Sequence, residues 1–238
     1  FTYIYDWIRQ SKRTDKIMKF WKALIQNNDI FAVIIGQDHM MNFVKDRRFT
    51  NDFGSTDMKK VTYLSEEYAK KLMYEPIMLI RNGEKINRYK EEALDRLYEL
   101  TAGSAFLIMN LCAGLVDYLN ETRTIYVTKA HVDEYLRKNL TSFEEARFFE
   151  PQYNDKSNVD NNETILKNKK ILRRIAQLSN KKEWASLNSV IMNEDDTKVI
   201  DTLKQRDVII VSNKRCKIKV MLYKEWLNSK YGAENRNE

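Results

Sequence analysis

Two runs, Asp207-Val208-Ile209-Ile210-Val211 and Lys217-Ile218-Lys219-Val220-Met221, flank the polar turn Ser212-Asn213-Lys214-Arg215-Cys216, and their reading decides the fold of the second half of the chain. Aliphatic, β-branched runs on either side of a polar turn predict a hairpin. Upstream, three segments are expected to be helical. Ile165 to Leu178 is basic and amphipathic, with Ile171, Leu172, Ile175 and Leu178 on one stripe; Trp184 to Ile191 and Asp195 to Gln205 come after it. Downstream, Leu222-Tyr223-Lys224-Glu225-Trp226-Leu227 predicts a closing helix whose Tyr223 and Trp226 pack on the winged helix rather than bind a ligand.

Helix, helix, helix, hairpin is the order of a winged helix-turn-helix. Residues 164–233 are therefore predicted to form a winged helix, with 234–238 as a tail. The segment 151–163, Pro151 to Glu163, is rich in Asn, Asp and Ser and reads as a linker. Before it, residues 81–150 predict an all-helical block. Asn87 to Thr101 carries Tyr89, Ala93, Leu94, Leu97 and Leu100; Gly103 supplies a left-handed closure and Ser104 an N-cap. The next helix is the most apolar, with Leu107, Ile108, Leu111, Cys112, Leu115, Val116 and Leu119, and is expected at the centre of a small bundle. A third starts after Thr128 and buries Val132, Tyr135 and Leu136.

Residues 1–80 read differently. Thr14 to Asn27 predicts a helix burying Ile17, Phe20, Trp21, Leu24 and Ile25. The run Ile30-Phe31-Ala32-Val33-Ile34-Ile35 is continuously apolar, as in a central strand covered on both faces, and breaks onto Gly36-Gln37-Asp38. Beyond it, a short helix from Asp38 to Asp46, a polar loop from Phe49 to Asp57 and a strand from Lys60 to Leu64 are expected. Ser65 then caps a helix with Glu66 and Glu67 in its first turn, Pro76 ends it, and Arg81-Asn82-Gly83-Glu84 turns the chain. The expected fold class is mainly α with an α/β remnant.

Charge is uneven along the 238 residues, whose net formal charge is +7. Residues 1–80 hold 13 basic against 10 acidic side chains, 81–150 hold 10 against 12, and 151–238 hold 18 against 12. The basic excess lies in the tail domain, where nucleic acid, an acidic partner or a solvated lysine-rich surface all fit. No apolar run reaches the length of a membrane span, and no basic-then-apolar leader is present, so a cytoplasmic protein without a membrane partner is expected. Two cysteines, Cys112 and Cys216, and two histidines, His39 and His131, are too scattered for a zinc site, and no metal is expected. None of the six glycines is followed by Lys, so the phosphate-cradling loop Gly-x4-Gly-Lys-Ser/Thr is absent and the chain is not expected to bind ATP unaided.

The order strand, helical block, winged helix resembles the C-terminal part of a prokaryotic ATPase of the signal-transduction (STAND) branch of AAA+-type P-loop NTPases, over nearly the whole chain. Ile30 to Asp38 is similar to a sensor 1 strand, and Phe1-Thr2-Tyr3-Ile4-Tyr5 is similar to the segment directly after the Walker B acids. Leu100-Thr101-Ala102-Gly103-Ser104-Ala105-Phe106-Leu107-Ile108 is similar to the lid signature Thr-x-Gly-x-Pro, with Ala105 where many relatives have Pro. The resemblance implies a partial P-loop NTPase α/β core in residues 1–80, lacking P-loop and Walker B, then a helical lid and a winged helix. It implies ATP and Mg in the intact protein and a P-loop half of the same protein as partner, with homo-oligomerisation also open. This chain would sense nucleotide state and couple it to motion without catalysing alone.

The resemblance also points to particular residues. Gln37 and Asp38 take the sensor 1 place, where a polar group orients the attacking water or senses the γ-phosphate, although Asp38 also fits as a helix cap. His39, beside them, reads as a surface or capping residue. Arg47 and Arg48 take a place from which relatives present an arginine finger, and also suit a helix C-terminus. Gly103, Ser104 and Phe106 belong to the lid; Phe106 stands where relatives with a sensor 2 arginine place it and cannot hydrogen-bond a phosphate. Arg173, Arg174, Lys181, Lys182, Lys214, Arg215, Lys217 and Lys219 would make a phosphate-contacting face with a basic wing, opposed by Glu194-Asp195-Asp196 at the start of the third helix. A winged-helix DNA-binding regulator and a protein-interaction module are the alternatives. No arrangement of carboxylates, Ser/His/Asp or Cys/His suggests a hydrolase site.

Overall fold

The computed structural model describes residues 15–26, 33, 35, 59, 61–145, 148–154, 162–179 and 183–231. The chain forms two compact units, Phe1–Lys60 and Val61–Glu238. In the first, helix α1 spans Asp15–Gln26. Its Phe20 is 62% exposed rather than buried, and Val33 and Ile35 are exposed and outside any strand, so neither is covered as a central strand requires. The rest of that run, with Gln37, Asp38, His39, Arg47 and Arg48, lies outside the described residues.

Among its described residues, the second unit is mainly helical with two small antiparallel sheets. Helix α2, Glu66–Tyr74, carries Glu66 and Glu67 in its first turn, but Ser65 makes no side-chain cap bond. Pro76 enters a 3-10 turn, Glu75–Ile77, as the helix ends. Ala69 and Met73 of α2 are buried in the helical core, so this helix belongs with the residues after it rather than with a sheet before it. Residues 61–64 form no strand; Leu64 instead donates its N–H to the Gly103 carbonyl at 2.8 Å. Strands β1, Leu79–Arg81, and β2, Glu84–Ile86, form a hairpin across Asn82 and Gly83, both left-handed, as a two-residue turn requires.

Helices α3, Glu91–Thr101, α4, Ala105–Thr122, and α5, Lys129–Asn139, form the bundle. Helix α3 starts later than its periodicity suggests, because Lys90 N–H bonds the Val127 carbonyl and Val127 N–H the Arg88 carbonyl, at 2.9 and 2.8 Å. Leu107, Ile108, Leu111, Leu115, Tyr118 and Leu119 of α4 are buried, each worth roughly 1.5–3 kcal/mol where the side chain is aliphatic. Thr128 and His131 close a capping box at the start of α5, which gives His131 a structural task. Two short helices come next, α6, Ser142–Glu145, and α7, Glu150–Tyr153; Gln152 of α7 is buried, so the start of the expected linker is packed.

Helix α8, Asn162–Leu178, opens the C-terminal part. The expected helix from Trp184 to Ile191 is instead strand β3, Ala185–Ser186, and a one-turn helix α9, Leu187–Val190. Ala185 and Ser186 are drawn into pairing with Cys216 and Arg215, a non-local contact that overrides helical periodicity. Helix α10, Glu194–Gln205, is capped by Asn193, which accepts from Asp196 N–H at 2.9 Å. Strands β4, Ile209–Ser212, and β5, Arg215–Ile218, complete a sheet of order β3-β5-β4. Their turn is the left-handed pair Asn213-Lys214, two residues rather than the five expected. Helix α11, Met221–Tyr231, closes the unit, and one contiguous core runs from Ala69 to Leu227.

Candidate functional site

Two surfaces carry the chemistry the sequence points to, and a third was not legible in it. The first is the α3–α4 corner. Ala102 and Gly103 are both left-handed, at φ 51° and 82°. Ser104 donates its N–H to the Thr101 carbonyl at 2.9 Å and its hydroxyl accepts from Leu107 N–H at 3.5 Å. Thr101 in turn bonds the Leu97 carbonyl at 2.7 Å. Gly103 and Ser104 therefore build the corner itself. Phe106 and Met109, one turn apart on α4, are 54% and 53% exposed, with Phe106 edge-on to Phe148 at 5.6 Å.

The second surface is the β4–β5 hairpin and helix α10. Lys214 and Arg215 are exposed at its turn. Lys217 is ion-paired to Glu183 and lies 4.6 Å over the Trp184 ring, while Lys219 pairs with Asp207 at 3.1 Å and lies 4.0 Å over Tyr63. The basic set thus splits into two exposed cations at the tip and two held on the protein. Of the others, Arg173 stacks 4.0 Å over Tyr231, Arg174 turns inward, and Lys181 and Lys182 lie outside the described residues.

Arg174 explains the acids that open α10. It donates to Asp196 at 2.9 Å and to the Val190 carbonyl at 2.5 Å. Burial pushes the Asp196 carboxyl up, but the Met192 N–H bond and Arg174 together outweigh it and hold the group below the usual carboxylate range. Asp195 pairs with Lys167 and Lys198, each at 3.4 Å. Helix α10 carries Glu194, Asp195, Asp196 and Asp201 against Lys198 and Lys204. A helix with this balance repels a phosphate backbone.

The third surface is the contact of α11 with the helical bundle. Arg96 of α3 donates from Nε to Asp133 of α5, from Nη1 to Glu99 and from Nη2 to Glu225 of α11, each at 2.8 Å. Half-burial alone would disfavour the guanidinium charge; the bonds to Asp133, Glu225 and Glu99 outweigh that and raise its pKa. Beside it runs an aromatic chain. Tyr135 meets Phe143 at 6.3 Å, Phe143 meets Phe149 at 6.4 Å, and Phe149 meets Tyr223 and Trp226 at 5.3 and 5.1 Å. Next to Glu225 on α11, buried Lys224 donates to the Ser179 carbonyl at the end of α8 at 2.8 Å, and burial lowers its pKa.

Only the local part of this third surface, Arg96 with Glu99 at i,i+3, leaves a trace in sequence. The bond to Glu225 spans 129 residues. Among the described residues, no group of three or more His, Cys, Asp or Glu could hold a metal ion, and no helix is long and apolar enough to cross a membrane. No protein-family model matches the chain, and no curated protein and no solved structure matches it.

Proposed function

We propose that residues 81–150 are the lid and 164–233 the winged helix of a STAND-type ATPase, and that the chain couples nucleotide state to motion without hydrolysing ATP alone. The observation that carries this reading is the order of parts. A helical block with a left-handed Gly103 before its most apolar helix is followed by helix, strand, helix, helix and hairpin in a sheet of order β3-β5-β4. ATP with Mg would be held by a P-loop half supplied by the rest of the protein, and the exposed Phe106 and Met109 beside Gly103 would face that half. Gln37 and Asp38, by the resemblance, would sense the γ-phosphate. A change of nucleotide acts only through a difference in its affinity for two arrangements of lid and core.

Titration of MgATP against this chain alone tests the reading: no saturable binding is expected, and micromolar affinity would overturn it. A winged-helix DNA-binding regulator is the second reading, favoured by Lys214 and Arg215 at the exposed hairpin tip. The acidic balance of α10 opposes it.

A further inference from the structure

We propose that Arg96 is a latch: its bond to Glu225 sets the orientation of α11, and with it the β3-β5-β4 module, against the helical bundle, while the aromatic cluster on Phe149 is the pivot. Helix α11 is fastened to both parts. To the C-terminal module it is tied by buried Lys224, which donates to the Ser179 carbonyl. Towards the bundle it makes two contacts of different kind, Glu225 on Arg96 of α3, and Tyr223 with Trp226 on Phe149, which precedes α7 and reaches Tyr135 of α5 through Phe143.

Those two contacts differ in what it costs to break them. Tyr223 and Trp226 are 0% and 6% exposed and stack on each other at 5.6 Å, so separating them from Phe149 would expose two large aromatic faces. Glu225 already has 33% of its side chain in solvent, so its carboxylate returns to water with little further change. Arg96 loses little as well, because it keeps Asp133 and Glu99. The bond to Glu225 therefore opens without unsettling α3 and α5.

Charge favours the same division. Three carboxylates converge on one guanidinium, so the cluster carries an excess of negative charge that release of Glu225 relieves. The latch is held by the bonds of the guanidinium to three carboxylates, whose attraction outweighs the cost of half-burial. Within the proposed function, this is the place where motion of the lid reaches the winged helix. The latch rests on that reading for its purpose, but its test uses no nucleotide and stands or falls separately.

Spin labels on Glu92→Cys of α3 and Ser229→Cys of α11 report the angle directly, with Glu92→Cys and Glu121→Cys of α4 as a control pair inside the bundle. The test is made on the whole chain, with Glu225→Ala as the variant that removes only the bond to α11. The α3–α11 distance distribution is expected to shift towards longer distances, by about two- to fivefold in the ratio of long to short, with the control pair unchanged. Glu225→Asp is expected to give a smaller shift. An unchanged α3–α11 distribution in Glu225→Ala would overturn the proposal, as would equal broadening of both pairs, which would make Arg96 a staple of the whole unit.

Discussion

The backbone N–H of Leu64 donates to the Gly103 carbonyl at 2.8 Å, and the same approach places the Leu64 carbonyl inside van der Waals distance of any Cβ built on Gly103. The glycine is required twice, for its φ of +82° and for this contact. Gly103→Ala is expected to cost about 2–4 kcal/mol, the sum of left-handed strain and a backbone clash that cannot relax. Gly83, at φ +83° with nothing within 4 Å, would carry strain alone, so Gly83→Ala is expected to cost roughly 1–2 kcal/mol. Urea unfolding of the two variants checks the order.

Asp196 ties the start of α10 to α8 through Arg174. Asp196→Asn removes a charge-assisted bond from a pair whose side chains are 19% and 13% exposed, at an expected cost of about 1–3 kcal/mol. The wild-type carboxyl is held below its unfolded value of 3.8, so its contribution is present above that pH and lost as pH falls through the folded value. The difference between wild type and variant should therefore narrow when unfolding is repeated below pH 3.8.

How much of this was legible in the sequence depends on the range of each interaction. The α4 stripe, the Ser104 cap and the closing helix were readable because their signals lie within one or two turns. The helix expected from Trp184 to Ile191 failed because Ala185 and Ser186 are claimed by β5, far along the chain, which no local pattern records. The basic face was readable as composition but not as surface. Its Lys217, Lys219 and Arg174 are paired with Glu183, Asp207 and Asp196, leaving Lys214 and Arg215 at the tip. The Arg96 cluster joins α3, α5 and α11 and could only be found in space.

Burial pushes the thiols of both Cys112 and Cys216 up to about 11, with a Tyr89 bond partly offsetting the effect at Cys112. Against the unfolded value of 9.0, each native thiol carries about 100-fold less thiolate at pH 8. A thiol reagent is expected to label the native chain at least that much more slowly than the unfolded one. Because the folded values are raised, this contribution to stability is full below pH 9.0 and lost as pH climbs towards 11.

Duplex DNA is expected to bind this chain weakly and without preference for sequence. Lys214→Glu with Arg215→Glu should leave affinity and its salt slope unchanged, measured by fluorescence anisotropy at two salt concentrations. A slope that falls by about 2 on the double substitution would mean that both cations contact phosphates, and would favour the DNA-binding reading.

The central claim is that nucleotide state is read at the Gly103 corner and passed to α11. Hydrogen exchange tests it most directly, on the intact protein with the P-loop half that the proposed function calls for, with MgATP compared to MgADP. The account predicts altered protection in Gly103–Met109 and in Met221–Tyr231, with the interior of α4 unaffected. Identical exchange in both segments under the two nucleotides would contradict it.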